Sequence, residues 1–118
     1  MPNARKRPCA DCPWRRDAPP GHFTPDAFER LADSSHDMSL KLFQCHDTTD
    51  DVPLVCAGFL ERGADHNLMV RPAYSRGDLE PQDRSGGYDL YEGFREMAVA
   101  NGVDPDHPVL GPCRDNRR

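Results

Sequence analysis

The chain has 118 residues and a formal net charge of -5, which corresponds to one domain of ordinary size. Only 36% of the residues are hydrophobic, 30% are charged, and there are 12 prolines and 9 glycines. A chain with so little apolar surface often needs a crosslink or a metal to fold. No stretch approaches the roughly 18 apolar residues of a membrane span, and no export signal is visible. These features predict a cytoplasmic protein without membrane association.

The first half of the chain predicts one helix and one short strand. Residues 1–8 are expected to be flexible. Thr24 is a candidate cap for a helix from Pro25 to Ala32, because proline suits the first helical position. The stretch "SLKLFQCH" alternates apolar and polar residues, which is typical of a strand.

The second half predicts two more helices. The apolar run "LVCAGFLERG" indicates a helix of two or three turns that stops at Gly63. Residues 67–87 contain two prolines and three glycines and indicate mostly irregular structure. The segment "YDLYEGFREMAVANG" has an apolar stripe at helical spacing. A proline-rich strap with Cys113 follows, and residues 113–118 form a charged tail.

Together these elements predict an α+β fold in a single loop-rich domain over residues 1–118. The domain has two or three helices and a short β element, and we expect a metal site to hold it together.

The five cysteines are the strongest candidates for a functional site. Cys9 and Cys12 form a C-x2-C pair, whose backbone can curl around an ion and present two thiolates to it. An odd cysteine count and a cytoplasmic setting do not suit a closed set of disulfides. Tetrahedral zinc needs two more ligands. The candidate metal ligands are Cys9, Cys12, Cys45, His46, Cys56 and Cys113.

The later candidates can be ranked by their neighbours. Small residues follow Cys56, and Gly58 among them would let the backbone approach a metal centre. Cys45 and His46 would face opposite ways along a strand, so only one should bind, and Cys45 is preferred. Cys113 is the alternative to Cys56. A buried cysteine that acts as a small apolar residue competes with each of these assignments.

Three cofactor and redox interpretations stay open. Zinc is favoured, and a [4Fe-4S] cluster is the main alternative because clusters also take four thiolates. Trp14, Arg15 and Arg16 could shield such a centre and offset its charge. A thiol oxidoreductase would use Cys9 as nucleophile and Cys12 as resolving thiol, but the sequence predicts no strand before Cys9, as that chemistry usually requires.

The resulting functional hypothesis is a structural zinc protein with a role in binding or regulation through an unknown protein partner. Four protein ligands leave no open position on the zinc, so we expect no zinc catalysis. Nucleic acid is a less favoured partner because the chain is acidic overall. The basic residues that would contact it are Arg5, Lys6, Arg7, Arg15 and Arg16.

Four motifs, "CADCPWRRD", "FQCH", "CAGFL" and "PCR", also carry a family likeness. In combination they resemble a small family of uncharacterised cysteine-rich proteins from actinobacteria and their phages. The resemblance implies a bacterial or phage cytosolic setting and implies no particular activity. It also places Cys9, Cys12, Cys45, His46, Cys56 and Cys113 in the family's motifs.

Overall fold

The structure is a computed structural model that describes residues 3–9, 12–19, 21, 23–44 and 54–113. Short 3-10 turns lie at Ala32–Ser35 and Pro108–Leu110. The predicted class, a small loop-rich α+β domain, is confirmed. The strands and helices are β1 (Asn3–Ala4), α1 (Pro25–Leu31), β2 (Leu54–Val55), α2 (Ala57–Arg62), α3 (Val70–Arg76) and α4 (Phe94–Ala100).

Helix α1 is the helix expected from Pro25 to Ala32, one residue shorter. Asp26 in its first turn and Arg30 in its last turn complement the helix dipole. Thr24 precedes the helix, but its side chain makes no capping hydrogen bond. The Thr24 carbonyl instead accepts from the backbone N–H of Ala27 at 3.0 Å.

The β element gathers three distant segments around Val55. Strand β1 runs parallel to β2, with Ala4 opposite Val55. Gln44 forms an antiparallel bridge with the same residue. Within residues 39–44 the predicted strand is reduced to this bridge, and Cys45 and His46 lie outside the described residues. The expected flexibility of residues 1–8 concerns motion and stays a prediction. The expectation that no strand precedes Cys9 was wrong, because β1 lies before it and pairs with β2.

Helix α3 lies in the segment that the sequence indicated to be irregular. Pro72 is its third residue, within the first turn, where a missing N–H costs no intrahelical bond. Gly77 ends the helix with φ at +80°, a conformation that glycine adopts without strain. Val70 and Ala73 are buried and attach the helix to the core. Most of residues 67–87 is irregular, as the sequence indicated, but residues 70–76 form a helix that the sequence did not predict.

Helix α4 carries the apolar stripe that its sequence predicted, with Phe94, Met97 and Ala98 buried. It begins at Phe94 rather than near Tyr88, because the preceding residues extend and Leu90 pairs with Arg15 in an antiparallel bridge. In the part of the chain that the structure describes, no helix is long and apolar enough to span a membrane.

The core is one continuous cluster centred on aromatic side chains. Trp14 makes edge contacts with Phe43 and Phe94, at centroid distances of 5.8 Å and 6.0 Å. Phe43 also stacks on Phe59 at 6.0 Å. The N-terminal arm, the segment before Cys45 and α2 therefore share aromatic packing, which the low hydrophobic content did not lead us to expect.

Candidate metal centre

Two backbone hydrogen bonds connect Cys9 with Cys12 and Cys12 with Arg15. The backbone N–H of Cys12 donates to the Cys9 carbonyl at 3.2 Å, and the N–H of Arg15 donates to the Cys12 carbonyl at 3.1 Å. Pro13 lies between Cys12 and Arg15. Its ring fixes its own φ, and it has no backbone N–H that would need an acceptor. This geometry directs the following residue, Trp14, into the protein interior.

Trp14 attaches this turn to helix α2. Its side chain is fully buried. It lies against Gly58 within α2 and against Gly63 at the C-terminal end of that helix. A Cβ added at Gly58 would come within 2.6 Å of Trp14 Cγ, and one at Gly63 within 2.6 Å of Trp14 Cη2. Gly58, two residues after Cys56, therefore makes room for the indole ring of Trp14. The sequence had led us to expect that this glycine would let the backbone approach a metal.

The Trp14 contact brings two cysteines together that are 44 residues apart in the chain. Cys56 caps the start of α2, directly after β2, and its N–H donates to the Phe43 carbonyl at 3.0 Å. The Cys12 and Cys56 sulfur atoms are 3.7 Å apart. Both residues are buried, with exposed fractions of 1% and 3%. No disulfide joins the four cysteines that the structure describes.

Cys9, Cys12 and Cys56 all line one cavity of about 150 Å³. Its apolar wall includes Phe23, Phe28, Leu31 and Phe43, and Arg5 and Gln44 also line it. A space of this size next to three thiol groups can admit an ion or a small molecule.

The hydrogen bond between Cys12 and Cys56 shifts the pKa values of the two thiols in opposite directions. The hydrogen bond with Cys56 lowers the pKa of Cys12, and the backbone N–H groups of Trp14 and Gly58 and the charge of Arg15 act in the same direction. The same hydrogen bond raises the pKa of Cys56 well above its ordinary value, and burial and the negative charge of Cys12 add to this effect. The arrangement favours a thiolate at Cys12 and a thiol at Cys56.

Arg15 and Arg16, which follow the C-x2-C pair, contact different groups. The Arg15 guanidinium donates to the Cys9 carbonyl at 3.3 Å and lies 3.7 Å from the centre of the Tyr88 ring. Arg16 instead pairs with Glu96 at 2.6 Å. The buried Trp14 Nε1 has no hydrogen-bond partner among the described residues. Of the two arginines, Arg15 is the one whose charge acts on a cysteine.

Cys113 is buried elsewhere in the core. Its sulfur lies 3.5 Å from the Ala32 carbonyl oxygen and 3.7 Å from that of Val109. Cys113 does not line the cavity of Cys9, Cys12 and Cys56. The structure thus places three of the predicted ligands around one cavity and separates Cys113 from it. Cys45 and His46 lie outside the described residues.

As placed, no three histidine, cysteine, aspartate or glutamate side chains within the described ranges are close enough to hold a metal ion. The predicted ligation therefore stays a prediction. Gly63 and Tyr88 also contribute to this region. Their roles depend on contacts with Trp14 and Arg15 that no local pattern indicates.

The family model for DUF6283, a family of unknown function, matches residues 4–114. The chain belongs to this family. The match includes Cys9, Cys12, Cys56 and Cys113, and it confirms the expectation of an uncharacterised family. Searches of curated proteins and of solved structures gave no significant match.

Proposed function

We propose that this DUF6283 member binds one structural zinc ion through Cys9, Cys12, Cys56 and Cys45. The ion would link the C-x2-C turn to the β2–α2 junction, and the protein would act in binding or regulation. Four protein ligands leave no position for a zinc-bound water, so the proposal includes no zinc catalysis.

The sulfur–sulfur distance carries the proposal. Two thiolates that bind the same tetrahedral zinc, each at about 2.3 Å, lie about 3.8 Å from each other. The Cys12 and Cys56 sulfur atoms are 3.7 Å apart, although 44 residues separate them in the chain. In a [4Fe-4S] cluster each thiolate binds a different iron, which requires the sulfur atoms to be farther apart. The distance therefore favours a single ion.

Cys9 supplies the third ligand in this proposal because it lines the same cavity as the other two thiols. The fourth ligand, Cys45, is assigned from its position in the chain. Gln44 also lines the cavity and bridges to Val55, and Cys45 is the next residue in the sequence. We prefer it to Cys113, whose sulfur faces two carbonyl oxygens. His46 is a reserve ligand or a group that hydrogen-bonds the site.

The surroundings of the thiols suit a metal thiolate. Backbone N–H groups of Trp14 and Gly58 and the charge of Arg15 favour the deprotonated form of Cys12. A divalent ion would displace the protons of both thiols, since bound thiols are deprotonated. Zinc affinity is therefore expected to fall as the pH decreases below neutrality, when protons compete for the sulfur atoms.

Elemental analysis of protein purified anaerobically, combined with an absorption scan, tests the proposal. We expect about one zinc per chain, no visible absorption and release of the zinc by a chelator or by acid. Protein that contains neither zinc nor iron, or that binds added zinc no more tightly than the Cys56→Ser variant, would refute the proposal.

An iron–sulfur protein in electron transfer or redox sensing is the second candidate. The observation that favours it is the cavity of about 150 Å³ next to the thiols, which exceeds the space that a single ion needs. Iron with sulfide and an absorbance near roughly 400 nm would identify it and exclude zinc as the native metal.

We also propose a bacterial or phage cytosolic setting and an unidentified protein partner. The setting is supported by the likeness of the four cysteine motifs to proteins from actinobacteria and their phages. Nucleic acid is a weaker candidate partner. Arg15 and Arg16, two of the basic residues that would contact it, already pair with Asp17 and Glu96.

A further inference from the structure

Three disulfide pairings are possible among the thiols that line the cavity, those of Cys9, Cys12 and Cys56, and one pair is in contact. Sequence spacing alone indicates the C-x2-C pair, Cys9 with Cys12. The sulfur atoms that lie in contact at 3.7 Å are instead those of Cys12 and Cys56. We propose that Cys12 and Cys56 form the redox-active pair of this protein and that a peroxide oxidises them to a disulfide.

The geometry requires only a small movement. A disulfide has a sulfur–sulfur bond of about 2.05 Å, so the two atoms must approach by about 1.7 Å. Rotation of the two side chains about their Cα–Cβ bonds moves the sulfur atoms without moving the backbone. The backbones are already held near each other, because Trp14, two residues after Cys12, lies against Gly58, two residues after Cys56.

The cavity gives a small oxidant a route to these buried sulfur atoms. Cys12 and Cys56 have exposed fractions of only 1% and 3%, but both line the space of about 150 Å³. A water molecule needs about 10–15 Å³ of such a space, and hydrogen peroxide is only slightly larger. The cavity is therefore large enough to admit a small peroxide.

The peroxide accepts the two electrons that the two thiols lose. The Cys12 sulfur attacks one peroxide oxygen, the O–O bond breaks, and Cys12 becomes a sulfenic acid while one water forms. The Cys56 sulfur then attacks the Cys12 sulfur, the S–O bond breaks, and a second water leaves. The two sulfur atoms together lose two electrons, and a thiol reductant can reverse the change by exchange.

Oxidation and zinc binding are mutually exclusive if the proposed function holds, because both use the same two sulfur atoms. Oxidation would then expel the ion and replace a metal link by a covalent link between the same two segments. This coupling rests on the proposed function. The position of the disulfide does not, because it follows from the contact between the two thiols.

Disulfide mapping after mild oxidation tests the inference. The purified full-length chain is treated with about one equivalent of hydrogen peroxide, the remaining thiols are alkylated, and peptides are sequenced by mass spectrometry. We expect a link between Cys12 and Cys56 and its loss after treatment with a thiol reductant. A Cys9–Cys12 link, a link to Cys113, or thiols oxidised beyond sulfenic acid without any disulfide would overturn it.

Two variants and a zinc readout separate this inference from the proposed function. Cys113→Ser should form the same link in equal yield, whereas Cys56→Ser should lose it. Zinc release is followed with a coloured chelator during the peroxide titration. Zinc release in proportion to the amount of disulfide formed supports both proposals. A protein without metal that still forms the Cys12–Cys56 link refutes the zinc function and keeps the redox pair.

Discussion

Cys56 and Cys113 are both buried cysteines, but their sulfur atoms have opposite surroundings. The Cys56 sulfur lies 3.7 Å from the sulfur of Cys12, next to a cavity that Cys9 also lines. The Cys113 sulfur lies against the carbonyl oxygens of Ala32 and Val109. Both carbonyl oxygens can accept a hydrogen bond from the Cys113 S–H group.

This difference separates a chemical role from a packing role for the same type of residue. Near Cys12 the backbone presents N–H groups and Arg15 presents a positive charge, and both stabilise a negative sulfur atom. At Cys113 the backbone presents carbonyl oxygens. The polarity of the surrounding backbone, rather than burial, therefore distinguishes a candidate ligand from a structural thiol.

The largest expected effect comes from replacing Cys56 by serine, with the same change at Cys113 as the comparison. Cys56→Ser should reduce the zinc content to less than about a tenth of an equivalent, because a hydroxyl is a poor ligand beside soft thiolates. Loss of the ion should cost at least about 3 kcal/mol, which corresponds to a decrease of roughly 10 °C in Tm. Zinc content and the Tm followed through Trp14 fluorescence provide the measurement.

Cys113→Ser is the matched control for this prediction. Serine keeps a donor for the Ala32 and Val109 carbonyls, so we expect a full equivalent of zinc and a loss of only about 1 kcal/mol. If the two variants lose zinc equally, the contrast between Cys56 and Cys113 is wrong.

The next effect concerns the contact that holds the two thiols together. Gly58→Ala places a methyl group within 2.6 Å of Trp14 Cγ and should cost about 3 kcal/mol in the free energy of unfolding. Alanine is the better helix former by about 1 kcal/mol, so a net loss isolates the clash from helix propensity. Urea unfolding followed through Trp14, the only tryptophan of the chain, gives the value.

Gly111→Ala is the control for that experiment. Its φ is -56°, and the nearest atom to the new Cβ is the Pro108 carbonyl oxygen at 3.5 Å, an ordinary contact. Its free energy of unfolding should change by no more than about 0.5 kcal/mol. Equal losses in the two variants would mean that the close approach of Trp14 to Gly58 does not stabilise the fold.

The smallest effect concerns the charge near the thiols. Arg15→Gln removes the donor to the Cys9 carbonyl and the charge that favours the Cys12 thiolate. We expect zinc affinity to fall roughly tenfold, as is usual when a group that supports metal ligands is lost. Competition with a chelator of known affinity measures the change.

Arg76→Gln provides the matched control for Arg15→Gln. Arg76 pairs with Asp78 at an exposed position, with 58% and 51% of the two side chains accessible. Such a pair contributes little, so zinc affinity should not change. A tenfold loss in this variant as well would indicate a general effect of net charge rather than a local effect of Arg15.

Local patterns in the sequence predicted part of this structure correctly. Proline at the first helical position indicated α1, and the stripe of Phe94, Met97 and Ala98 indicated α4, because both signals depend on residues within one helix. The same kind of local reasoning missed α3, because the two prolines and three glycines of residues 67–87 indicated irregular structure, although Pro72 lies in the first turn of a helix.

The thiol contact could not be predicted from local patterns. It requires Trp14 to pack against Gly58, more than 40 residues later in the chain, and nothing near either residue indicates the other. The sequence ranked Cys9 and Cys12 first from their spacing and could not separate Cys56 from Cys113. That choice depends on which backbone groups face each sulfur atom, which only the fold determines.

X-ray absorption at the metal edge of protein purified anaerobically tests the central claim most directly. The account predicts zinc surrounded by four sulfur atoms at about 2.3 Å, with the same spectrum for the Cys113→Ser variant. Zinc bound only by nitrogen and oxygen, or a sulfur count that falls in Cys113→Ser and not in Cys56→Ser, would contradict it.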